Sequence, residues 1–181
     1  MTKRLQIKLL RHWRLSFSFF CLLCSVTILA AGFAPALANG RNLPNIVGLD
    51  QNGKITSLRR SFNERKTVVN FWWVKCSPCK QELPDLLAKQ KKYPQADFIY
   101  VHAETNAATK AAYRPQVVKE FLDRLNITLP NIIIGNTKAR LSAGVEALPT
   151  TLLVSSEGKI DAFLVGFTPA NTAAIEKWLA Q

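Results

Sequence analysis

The stretch from Thr67 to Pro84, TVVNFWWVKCSPCKQELP, constrains this chain more than any other. Thr67–Val74 is rich in β-branched and aromatic residues and is apolar on both faces, as in a strand buried between two layers. Cys76-Ser77-Pro78-Cys79 follows directly. From Cys79 to Tyr93 the residues Leu83, Leu86, Leu87 and Gln90 recur at helical spacing. Pro84 predicts a kink or an irregular early turn, and Pro94 ends the helix. A Cys-x-x-Cys that closes a buried strand and opens a helix is the pattern of a dithiol redox site.

Two other uses of such a pair are weaker. A closed zinc site needs about four ligands. Outside the N-terminal segment the chain offers only Cys76, Cys79 and His102 in this region. A structural disulfide across a two-residue gap closes so short a loop that it constrains the unfolded chain little. The chain has four cysteines in all. The second pair, Cys21 and Cys24, lies inside an apolar run from Leu15 to Ala34, where thiols act as small hydrophobes.

That run follows a basic stretch (residues 1–14) and precedes Ala36-Leu37-Ala38, a small-x-small cleavage pattern. Residues 1–38 thus read as a secretory signal. About 20 apolar residues also suffice to span a bilayer, so an uncleaved N-terminal anchor is the alternative. Either way the basic flank stays inside and the domain is extracytoplasmic, or periplasmic. Leu23 and Phe20 stand where lipoprotein processing needs a small residue. Five of the 24 basic residues and none of the 12 acids fall in this segment, so the remainder carries a net charge of +7. Its basic residues are scattered, with no run longer than two. No nucleic-acid arm is present.

Along the remainder, residues 41–181, one domain is expected. Asn52-Gly53 between short apolar runs predicts a hairpin of Leu43–Asp50 and Ile55–Leu58. Arg59–Lys66 reads as a loop or one helical turn. Ala96–His102 predicts a strand, Gln116–Leu125 an amphipathic helix with Val117, Val118, Phe121, Leu122 and Leu125 on its apolar face. Pro130–Gly135 is a short buried strand and Lys138–Val145 a weak helix. Thr150–Val154 and Lys159–Val165 form a second hairpin across Ser155–Gly158. Pro169–Ala180 closes the chain as a helix, with Ala173, Ile175, Trp178 and Leu179 inward. The order predicts an α/β fold, a mixed central sheet with flanking helices.

These motifs carry a resemblance. Asn70-Phe71-Trp72 ahead of Cys76-Ser77-Pro78-Cys79-Lys80, with Glu82 and Pro84 behind, resembles the TlpA/ResA-type branch of the thioredoxin-like superfamily. Further matches follow in order: the Asn52-Gly53-Lys54 hairpin before the site, then Gly144-Val145-Glu146-Ala147-Leu148-Pro149-Thr150-Thr151, and then Ser156-Glu157-Gly158-Lys159-Ile160 with Gly166. The resemblance implies a thioredoxin-like fold with an extra N-terminal β-hairpin and a central helical insert at about residues 103–130. It implies an exported or tethered thiol–disulfide oxidoreductase, with cytochrome c maturation as one known use of the branch. It also implies that Glu82 modulates the thiols and relays a proton, the rival reading being a solvated helix glutamate. Pro149 is cis by resemblance, in a loop facing the dithiol; without it, Pro149 is a proline at a strand start. Leu148 would pair through its backbone with an extended substrate segment.

The chain departs from the pattern at one place. The family carries Trp directly before the first cysteine, and here that residue is Lys75, with Trp72 and Trp73 further back.

The expected chemistry is exchange through a mixed disulfide. Cys76 is the nucleophile, its thiolate favoured at a helix N-terminus. Cys79, one turn on, resolves. Lys75 either stabilises that thiolate or points at water. Lys75 and Trp73 join Leu148 and Pro149 as expected substrate contacts. Trp72 and Trp73 should face opposite sides of the strand. His102 reads as structural or exposed rather than catalytic.

Pro78 supplies no N–H, and no histidine lies between the cysteines, which favours a reductant; Lys75 acts the other way. The rivals are an oxidase or isomerase, a thiol peroxidase (Trp73 replaces the Thr expected there), and a non-catalytic binding module. The expected substrate is a disulfide-containing protein and the donor a membrane or exported thiol. The chain is expected to be a monomer without cofactor.

Overall fold

The computed structural model describes residues 40–103 and 115–181. The expected targeting segment, with Cys21 and Cys24, and the first part of the central insert lie outside these. Among the described residues no helix is long and apolar enough to cross a membrane.

A hairpin of β1 (Val47–Leu49) and β2 (Ile55–Ser57) opens the fold, with Leu49 opposite Ile55. Its turn is closed by Asp50, whose carboxylate accepts from the N–H groups of Asn52 and Lys54. Gly53 takes a positive φ of 78° there, which L-residues with a Cβ rarely adopt. The returning strand is shorter than expected. Ser57 caps a one-turn helix α1 (Leu58–Ser61) by accepting from the Arg60 N–H. That turns Leu58 inward, where it is fully buried.

The strands β3 (Thr67–Trp72), β4 (Asp97–His102), β5 (Ile132–Ile134), β6 (Thr150–Val154) and β7 (Ile160–Val165) complete one seven-stranded mixed sheet, in the order β2-β1-β5-β4-β3-β6-β7. β3 pairs in parallel with β4 and antiparallel with β6. All six of its residues are buried. A strand without a wet face needs no polar alternation, which is why its sequence shows none.

One face of the sheet carries Val68, Trp72, Phe98 and Tyr100. Helices α2 (Ser77–Lys92), α3 (Pro115–Arg124) and α5 (Pro169–Leu179) cover it through residues such as Leu83, Leu86, Phe121 and Ile175. The other face carries Val69, Phe71, Ile99 and Val101 and packs on Ile46, Leu58, Ala143 and Val145. Helix α4 (Thr137–Ser142) lies before the last two of these, capped by Asn136.

Several boundaries differ from expectation. β3 ends at Trp72 rather than Val74, because the chain turns there: the Cys76 N–H donates to the Trp73 carbonyl at 3.0 Å. Strand alternation therefore stops before Trp73. Trp72 and Trp73 pack against the same core instead of opposite ones. α2 starts earlier than expected and runs unbroken through Pro84. α4 stops at Ser142, and Gly144, at φ 74°, turns the chain away. In α5 it is Ala174, not Ala173, that packs inward beside Ile175, Trp178 and Leu179.

Candidate active site

Cys76 and Cys79 meet because a strand end and a helix start are joined by a single turn. Cys76 is the N-cap residue of α2, with extended backbone, and Pro78 occupies the first helical turn, where its missing N–H removes nothing from the helix. Their sulfurs are joined in a disulfide, with a Cα–Cα distance of 5.3 Å. The Cys79 N–H points at the Cys76 sulfur, 3.2 Å away. The two cysteines differ in exposure. Cys76 is half-buried and Cys79 is fully buried. An incoming group therefore has access to one sulfur only.

Glu82, one turn beyond Cys79, is 3% exposed, so it is not a solvated helix glutamate. Asn70 Nδ2 donates to its Oε2 at 2.8 Å, and Thr151 Oγ1 lies 3.3 Å from its Oε1. Asn70 Nδ2 also reaches Thr151 Oγ1 at 2.9 Å. The triangle follows from the sheet register, which sets Asn70 opposite Thr151 across β3 and β6. Burial raises the Glu82 pKa above its ordinary value. The hydrogen bonds from Asn70 and Thr151 pull the other way, as does Lys89, while nearby Asp85 adds to the rise. Tyr100, next to Asn70 on β4, is held protonated by burial and by the Glu82 charge; its hydroxyl donates to Gln90.

The expected substrate loop lies at the same end of the sheet. Thr150 pairs with Phe71, so Leu148-Pro149 emerges beside the end of β3 from which the Cys76 turn departs. The Leu148–Pro149 peptide is cis. Leu148 is half-buried and touches both cores. Arg140 anchors this loop from below: its buried guanidinium donates to the Val145 carbonyl.

Lys75 is exposed, and its ammonium lies 5.8 Å from the centre of the Trp73 ring. His102 is fully buried edge-on to Trp72, with ring centroids 5.0 Å apart and neither ring nitrogen hydrogen-bonded. Burial lowers its pKa to about 3, so the ring is neutral. Among the described residues no group of three or more metal-ligating side chains comes together.

The sequence reading assigned no role to Asn70, Thr151 or Arg140. Asn70 carried a local signal, being the one amide in an otherwise apolar strand. Thr151 and Arg140 carried none, since their partners are set by tertiary packing.

A family model described as Redoxin matches residues 38–177. The thiol-disulfide oxidoreductase ResA of Bacillus subtilis is 30% identical over 149 residues, spanning 80% of this chain and 79% of that protein. The thioredoxin-like protein YneN of the same organism is 30% identical over 130 residues, spanning 72% and 73%. Among solved structures, a thiol:disulfide interchange protein from a Bacteroides species superposes with a TM-score of 0.62 at 23% identity, covering 80% of this chain and 92% of that one. The thioredoxin domain of a thiol-disulfide oxidoreductase from Bacteroides vulgatus does so with 0.61 at 24%, covering 80% and 99%. At these identities the structural likeness speaks to the fold, which is thioredoxin-like.

Proposed function

Because the chain belongs to the redoxin family and is a thiol–disulfide oxidoreductase of the TlpA/ResA type, we propose that it works outside the cytoplasm as a reductant of protein disulfides, through Cys76 and Cys79. The observation that carries this reading is the asymmetric pair at the start of α2: a half-exposed Cys76 that receives a helix N–H, bonded to a fully buried Cys79.

In the reduced protein, the Cys76 thiolate attacks one sulfur of a substrate disulfide. A Cys76–substrate bond forms, and the other substrate sulfur leaves as a thiolate that takes up a proton. Cys79 then gives up its proton and attacks the Cys76 sulfur. The Cys76–Cys79 bond forms, the second substrate thiol leaves, and two electrons have passed to the substrate. Glu82, buried one turn from Cys79 with a raised pKa, is the group suited to accept the Cys79 proton. Leu148 and cis-Pro149 present backbone to the substrate segment, with Trp73 and Lys75 across from them. Return to the dithiol requires a membrane-bound or exported dithiol that takes the reverse path. Residues 1–38 serve as the export signal or anchor, and residues 41–181 are the working domain, a monomer without cofactor.

Trapping tests this. A Cys79→Ala protein keeps the nucleophile and loses the resolving thiol, so it should accumulate substrate proteins in mixed disulfides at Cys76. Cys76→Ser should capture none. If Cys79→Ala captures no protein in the exported compartment, the reading falls. The direction is tested by potential: a value near about −270 mV supports a reductant, one near about −120 mV an oxidase.

A further inference from the structure

Beside the dithiol a cleft of about 350 Å³ opens between the start of α2 and α3. Val74, Phe121 and Leu125 give it apolar walls, and Lys75, Lys80 and Arg124 give it charge. Among the described residues no acidic side chain lines it. Lys75 immediately precedes Cys76 and Lys80 immediately follows Cys79, so the cleft adjoins the half-exposed nucleophile. Lys80 lies 5.7 Å from the Phe121 ring centre, as Lys75 does at 5.8 Å from Trp73. Among the described residues none of these three cations has a salt-bridge partner. The nearby acids of α3 are engaged elsewhere, Glu120 by Gln116 and Asp123 by Lys119.

Three cations with no ion-pair partner among the described residues, set around one concave apolar surface, repel each other, and an anion relieves that repulsion. Apolar walls with a few convergent charges are also the usual form of a recognition cleft. We propose that this cleft selects protein substrates by taking an acidic segment next to their disulfide, with Asp or Glu side chains meeting Lys75, Lys80 and Arg124 and an apolar residue between them meeting Phe121 and Leu125. The proposal rests on the reading of the protein as a reductant of protein disulfides. It adds which disulfides are reduced fastest.

The test uses the dithiol protein, freed of reductant, in single turnovers against three peptides that share one disulfide and differ only in its flank: Glu-Leu-Glu, Gln-Leu-Gln or Lys-Leu-Lys. At low salt the Glu peptide should be reduced about tenfold faster than the Lys peptide, with the Gln peptide between them. High salt should close the gap. Arg124→Glu should erase or invert the Glu-to-Lys rate ratio. Arg59→Glu, on the opposite face of the sheet, makes the same change in net charge and should leave the ratio as it was.

Equal rates for the three peptides overturn the proposal while leaving the reductase reading intact. So does a ratio that shifts as much in Arg59→Glu as in Arg124→Glu, since net charge alone would then explain it. If none of the peptides is reduced, the reductase reading falls and the cleft assignment with it. Arg124→Gln, which removes the charge at this exposed position without reversing it, should give an intermediate ratio and guards against a folding defect in the reversed-charge variant.

Discussion

Asn70 Nδ2 lies 2.8 Å from Glu82 Oε2, so the central strand grips the active-site helix one turn beyond the buried cysteine. The same amide nitrogen meets Thr151, and Asn70 Oδ1 has no partner. Asn70 thus divides its donors between the Glu82 carboxylate and the Thr151 hydroxyl and leaves its own acceptor unsatisfied in the core. Such a group is costly to bury. A neutral side chain at position 82 would let the Asn70 amide turn and use both its atoms.

Glu82→Gln should therefore raise stability at neutral pH, by about 1 kcal/mol. The sign follows from the pKa. Folding raises it above the ordinary 4.5, with burial the main cause. A carboxyl raised in this way favours the folded state while protonated. That contribution is whole below pH 4.5 and is lost as pH rises through the folded value. Urea unfolding at neutral pH measures the gain. If Glu82 accepts the Cys79 proton, resolution of the mixed disulfide should slow in the same variant and its rate should depend less on pH. A variant that is more stable and equally fast would remove Glu82 from the chemistry.

The strand, the helix after it and the cysteines between them were legible because their signals are local: β-branched residues in a run, leucines at helical spacing, a proline at each end. The cap at Ser57 was hidden behind an apolar run that ended in Leu58. The shared side of Trp72 and Trp73 was hidden because alternation predicts it only while the strand lasts. Burial of Glu82 was beyond reach for another reason. Spacing puts it on the face of Cys79, but its partners are 12 and 69 residues away in the chain. Lys75 was legible as an anomaly. The cleft it helps to form was not, because its other wall comes from α3.

His102 should make the fold sensitive to acid. It is buried neutral, with its pKa lowered by burial from 6.5 to about 3. At neutral pH neither state binds the proton. As pH falls below 6.5 the unfolded chain takes up a proton that the folded chain refuses. Stability should drop by about 1.4 kcal/mol per pH unit until the folded pKa is reached. His102→Phe fills similar space beside Trp72 and does not titrate. Its unfolding free energy should fall less steeply between pH 6 and pH 4 than that of the parent protein. Parallel slopes would mean that the ring is hydrated in solution.

Gly48 joins the hairpin to the rest of the sheet. β1 meets β5 at one register pair, Leu49 with Ile134. A Cβ built on Gly48 would stand 2.5 Å from the Ile134 carbonyl oxygen and 2.8 Å from an Ile133 methyl. Neither is the free end of a flexible chain, so the strand itself must move. Gly48→Ala should cost about 1–3 kcal/mol and speed amide exchange in β1 and β2 before it does so in β3. Exchange that rises evenly across the whole sheet would show that the hairpin does not open separately.

Arg140 offers a test of the proposed substrate loop. Its guanidinium donates to the Val145 carbonyl, and the backbone N–H groups of Ala143 and Val145 donate to its own carbonyl. Four residues after Val145 comes the cis Leu148–Pro149 peptide. Arg140→Met retains much of the buried stem and removes the donor, leaving the Val145 carbonyl with no side-chain partner. The loss should be about 1–3 kcal/mol in stability. If the loop binds substrate backbone, KM for a protein disulfide should also rise, while the rate with a small disulfide such as hydroxyethyl disulfide, which needs no strand-like contact, should hold. Equal losses on both substrates would place the defect at the dithiol instead of the loop.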